Sequence, residues 1–98
     1  MATLNYADRA LQDLERLTDF LQDIDPPAAR DTVDLIIEAI SILRRHPLIG
    51  RTVDSDLREL VISRGKAGYV ALYSYEYPAD AVLILTVRQQ REAGYPAS

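Results

Sequence analysis

A chain of 98 residues has room for one core, and with 48% of them apolar it can build that core without covalent help. The absence of cysteine excludes disulfides and thiolate metal sites, and one histidine is too few for zinc, so no metal or other cofactor is expected. The net charge of −4 is the wrong sign for a protein that lives on nucleic acid, which needs excess Lys and Arg against phosphate.

No apolar run approaches the ~20 residues that span a bilayer, and Met1 is not followed by the basic then apolar pattern of a secretory signal. The expectation is a cytoplasmic protein with no membrane partner. The acidic excess is uneven: residues 1–46 hold nine acidic and five basic side chains, residues 47–98 six of each. The first half carries the whole deficit.

Met1 to Tyr6 predicts a short edge strand. From Ala7 to Ile24, apolar residues at Ala10, Leu11, Leu14, Leu17 and Leu21 keep the three-and-four spacing of one helical face, with Asn5 available as a cap and Asp8 in the first turn. Asp25-Pro26-Pro27 ends that helix and starts another, because proline cannot continue a helix interior but suits a first turn. The second helix is predicted over 26–46. Its stripe of Ala29, Val33, Ile36, Ile37, Ile40 and Leu43, widened by Leu35, Ala39 and Ile42, implies cover on two sides, and Arg44, Arg45 and His46 suit its C-terminus before Pro47.

Residues 47–56 read as a surface connection. From Leu57 to Arg88 three apolar runs, LRELVIS, YVALYSYEY and AVLILTV, are separated by RGKAG and PAD, the pattern of an antiparallel meander. By alternation Arg58, Leu60 and Ile62 share a face, Val70 and Leu72 oppose Tyr69, Ala71, Tyr73, Tyr75 and Tyr77, and Val82, Ile84, Thr86 and Arg88 oppose Leu83, Leu85 and Val87. Two helices cover only one side of such a sheet. The tyrosine row is expected to be the uncovered, partner-binding side, since tyrosine joins a large apolar ring to a polar tip. Residues 89–98 are expected to leave the sheet as a tail.

Little chemistry is available. His46 beside a proline has no nucleophile to serve, Gly65 and Gly68 are spaced for a turn rather than a phosphate loop, and the helical carboxylates fall at the spacings of solvated faces. One option survives: cleavage of RNA through its 2′-hydroxyl needs proton transfer and charge stabilisation, for which Arg58, Arg64, Lys66, Arg88, Arg91 and Tyr95 are the candidates.

The order of short strand, helical hairpin and meander, with HPLIGR, LREL, YVALYSYEY and VLILTVRQQREAGY in place along it, resembles the RelE/ParE superfamily of bacterial toxins from toxin–antitoxin pairs over essentially the whole chain. The resemblance implies a single α+β domain, with the hairpin on one face of a small antiparallel sheet, and a toxin that arrests growth. It also implies a cognate antitoxin whose segment folds on binding, in complexes of higher order. RelE-like members cut messenger RNA on the ribosome with Lys, Arg and Tyr side chains; ParE-like members lack that set and act on DNA gyrase. The segment Arg88-Gln89-Gln90-Arg91-Glu92-Ala93-Gly94-Tyr95 and the net charge favour the ParE-like reading. Under it Tyr69, Tyr73, Tyr75, Arg88, Arg91 and Tyr95 are the expected partner-binding residues.

Overall fold

The computed structural model describes residues 1–64 and 67–90. Among these, the chain forms β1 (Thr3–Tyr6), α1 (Asp8–Ile24), α2 (Pro26–Ser41), β2 (Arg51–Asp54), β3 (Leu57–Arg64), β4 (Ala67–Glu76) and β5 (Ala81–Gln89), in one sheet ordered β1-β5-β4-β3-β2. The meander β3–β4–β5 is antiparallel, but β1 runs parallel to β5, so the sheet is mixed. No described helix is long and apolar enough to cross a membrane.

Asp25 caps α2 as its position before two prolines dictates, accepting the Ala28 N–H at 3.3 Å. Asn5 does not cap α1. It lies in β1 opposite Leu83, and the helix starts at Asp8 behind Ala7 with no side-chain cap. The second helix stops at Ser41 and tightens into a 3₁₀ turn over Ile42–Arg44. Its buried line is Ala29, Thr32, Ile36, Ile40 and Leu43, while Ile37 and Ile42 face outward, a narrower stripe than the apolar count implied. α1 lies on β5 and α2 lies against α1, reaching β3. Each of Ile36, Ile40 and Leu43, fully enclosed, contributes about 1.5–3 kcal/mol by removal from water.

The faces of the sheet come out opposite to expectation. Tyr69 is 3% exposed, and Ala71 and Tyr73 are fully enclosed, in one cluster with Ile62, Val82, Ile84, Val87 and the helices. The tyrosine row is therefore the covered side, and Val70 and Leu72 lie on the face away from the helices. Simple alternation also fails in β5. Leu72 pairs with Thr86 but Tyr73 pairs with Ile84, so Leu85 is an extra residue in a bulge. The bulge switches parity and lets Val82, Ile84 and Val87 all point at the helices.

Candidate functional site

The connection from α2 to β2 is held from below by the sheet. The Tyr73 hydroxyl, at the centre of β4, donates to Pro47 O at 2.8 Å and accepts from Gly50 N at 2.8 Å. Arg58, beside Tyr73 in the β3–β4 register, donates to Leu48 O at 3.0 Å and Gly50 O at 2.9 Å. Gly50 is required by proximity: a Cβ there would sit 2.5 Å from the Tyr73 hydroxyl and 2.8 Å from Glu59 O. Burial pushes the Tyr73 hydroxyl above the usual phenol range, against the opposing pull of the Gly50 N–H and Arg58. This leaves Leu48 and Ile49 displayed outward on a fixed loop, next to His46, Tyr75 and the 80%-exposed Tyr77. Tyr75 is half-buried; its hydroxyl donates to Asp80 Oδ1 at 2.7 Å, and that bond, ahead of desolvation, raises its pKa.

The second cluster lies where α1 crosses the end of β5. Asp13, with a side chain 1% exposed, accepts the Val87 N–H at 3.1 Å through Oδ2 and Arg16 at 3.1 Å through Oδ1, with Arg9 at 3.6 Å. A helical carboxylate here takes up a strand N–H that no neighbouring strand reaches. The sequence carried no signal for it beyond an acidic residue at the flank of an apolar stripe. Arg88 lines the adjoining gap, half-buried, and its Nε is enclosed without an acceptor among the described residues.

Of the candidate cleavage residues, the two whose side chains are described, Arg58 and Arg88, are not brought together. Arg58 pairs with Tyr73 and Arg88 with Val70. They stand three places apart along β4, roughly 10 Å, and on opposite faces. Arg58 is occupied by two loop carbonyls. Tyr69 and Tyr73 are in the core, so neither offers a surface to a partner as the sequence suggested. Lys66, Arg91 and Tyr95 lie outside the described residues, as does the side chain of Arg64. No group of His, Cys, Asp and Glu able to hold a metal occurs among the described residues.

Residues 4–94 match the family described as "ParE toxin of type II toxin-antitoxin system, parDE". The chain belongs to the ParE toxin family. It is also 37% identical over 92 residues to Toxin RelE3 of Caulobacter vibrioides, covering 94% of this chain and 98% of that protein. Among solved structures, a chain of the chromosomal ParDE system from P. aeruginosa superposes with a TM-score of 0.76 at 22% identity, covering 91% of this chain and 96% of that one. A chain of the E. coli RelBE toxin–antitoxin complex superposes at 0.62 and 14% identity, covering 90% and 95%. These two likenesses speak for the fold: two helices on a five-stranded mixed sheet, as in the wider RelE/ParE group of type II toxins.

Proposed function

We propose that this ParE-family toxin acts by poisoning DNA gyrase and is held inactive by a cognate antitoxin, a segment of which folds onto it. The observation that carries the reading is the separation of Arg58 and Arg88. General acid–base cleavage needs its groups within hydrogen-bond reach of one phosphate, and these are on opposite faces of the sheet with Arg58 already bonded to the loop. The net charge of −4 points the same way, since entry into a site made of RNA is electrostatically opposed. The toxin then works as a protein ligand, with Arg88, and with Arg91 and Tyr95 in the segment that follows, as its contact margin. The neighbouring ParDE and RelBE structures come from toxin–antitoxin systems, which supports a cognate antitoxin here.

Purified toxin combined with gyrase and plasmid is expected to block supercoiling or accumulate cleaved DNA; normal supercoiling without cleavage would discard the proposal. The 37% identity to a protein named RelE3 favours a second reading, ribosome-dependent cleavage of messenger RNA. That reading requires codon-spaced cuts on programmed ribosomes that vanish in Arg88→Ala, and intact message would remove it. Absence of growth arrest on induction without antitoxin would sink both in favour of a binding-only homologue.

A further inference from the structure

β1 ends at Tyr6 opposite Ile84, with a last bond from Ala7 N to Ile84 O at 2.8 Å. Past that point the outer edge of β5 is bordered by α1 instead of a strand, and Asp13 seals the Val87 N–H. Between them is a gap of 160 Å³ lined by Asp13, Arg16, Leu17, Phe20, Arg88 and Gln89. Arg88 contributes an enclosed Nε and has no acceptor or ion pair among the described residues. A buried donor in this condition is costly and calls for an acceptor. The charges agree: the lining of the gap holds two guanidiniums, Arg16 and Arg88, against the single carboxylate of Asp13, which Arg16 and Arg9 already approach, so the place is locally cationic in a chain of net −4.

We propose that this gap receives one carboxylate side chain from a protein partner, held between Arg16 and Arg88, with an adjoining apolar residue of the partner resting on Leu17 and Phe20. At 160 Å³ the gap is of the order of a side-chain cavity, which a carboxylate-bearing side chain can enter. The apolar wall suits a peptide, and the overall negative charge disfavours a phosphate polymer. The inference does not depend on whether the toxin meets gyrase or the ribosome.

The test is titration of the full chain, labelled with ¹⁵N, with N-acetyl-Leu-Glu-Leu-amide at millimolar concentration, alongside its Gln counterpart, inorganic phosphate and a short oligothymidylate. The Glu peptide is expected to move the Arg16 and Arg88 Nε–Hε signals and the Gln89 amide, and Arg88→Ala to weaken it about tenfold, as loss of one charge-assisted bond should. Arg16→Gln, at a side chain 60% exposed, should do likewise without changing the fold, and covers the case in which the Arg88 variant misfolds. An equal response to the Gln peptide, a stronger one to phosphate or oligothymidylate, or no movement of those signals by the Glu peptide would each overturn the proposal.

Discussion

Replacing Tyr73 by Phe removes one oxygen and tests whether this hydroxyl fastens the loop to the sheet. In the wild-type chain it both donates, to Pro47 O, and accepts, from Gly50 N, each at 2.8 Å, and the residue is fully enclosed. A net hydrogen bond contributes about 0.5–1.5 kcal/mol, and a buried donor left without an acceptor costs about 1–3. Pro47 O can turn to water more easily than the buried Gly50 N–H, so the expected loss is about 2–3 kcal/mol. For a domain of this size that lowers the thermal midpoint by about 10–20 °C. Urea unfolding followed by circular dichroism should show a lower midpoint at unchanged slope, because the surface exposed on unfolding is the same. Tyr77→Phe, at an 80%-exposed side chain, should leave the midpoint where it is. A Tyr73→Phe variant within about 0.5 kcal/mol of wild type, below the range for a single such bond, would refute the assignment.

Gly50→Ala should destabilise by about 1–3 kcal/mol in the same assay, since its new methyl would meet the Tyr73 ring and the Glu59 carbonyl. Asp13→Ala should cost about 2–3 kcal/mol, reduced from the usual figure for a broken buried pair because Arg9 and Arg16 are more than half exposed; Asp13→Asn, which keeps an acceptor for Val87 N, should cost less. Arg58→Ala should lower stability by about 1–3 kcal/mol through its two carbonyl bonds, and toxicity should return at lower temperature, whereas Arg88→Ala should lower toxicity even at temperatures well below its unfolding midpoint. Because the Tyr73 phenol has its folded pKa raised above 10.0, the unfolded chain loses that proton first: its contribution is complete below pH 10 and is lost as pH rises through the folded value. Urea titrations between neutral and strongly alkaline pH should show this loss in wild type and a shallower one in Tyr73→Phe.

The helices were legible because their signals are local. Three-and-four spacing and the Asp25-Pro26-Pro27 junction decide them within a turn or two. The meander was legible for the same reason, each reversal lying between its own strands. β2 escaped because all four of its residues are exposed, so no alternation of burial is written into Arg51–Asp54. The parallel pairing of β1 with β5 joins residues some eighty positions apart and leaves no mark in either segment. The Leu85 bulge is likewise invisible, since AVLILTV is apolar at every position but one and reads equally well in either parity. That run concealed which way Val87, and with it Asp13 and Arg88, would meet.

The tyrosines fail as a sequence signal for a physical reason that extends to the arginines. A phenol ring argues for burial and its hydroxyl for water, so a row of them does not say which side of a sheet is covered. What decides is whether a polar group in need of a partner lies within reach of the buried hydroxyl. At Tyr73 the turning backbone of Pro47–Gly50 supplies an acceptor and a donor, and the ring can be enclosed at no loss of hydrogen bonding. At Tyr75 the Asp80 carboxylate serves and the residue is half-buried; Tyr77 stays in solvent, 80% exposed. The same criterion separates Arg58, whose bonds to two carbonyls account for it within the chain, from Arg88, which is enclosed at Nε and has no acceptor there among the described residues. Partner-seeking chemistry is therefore better read from donors the fold leaves unanswered than from residue type. Among the described residues that measure singles out two side-chain atoms, the Tyr6 hydroxyl and Arg88 Nε, and the proposed contact margin at the end of β5 rests on the second.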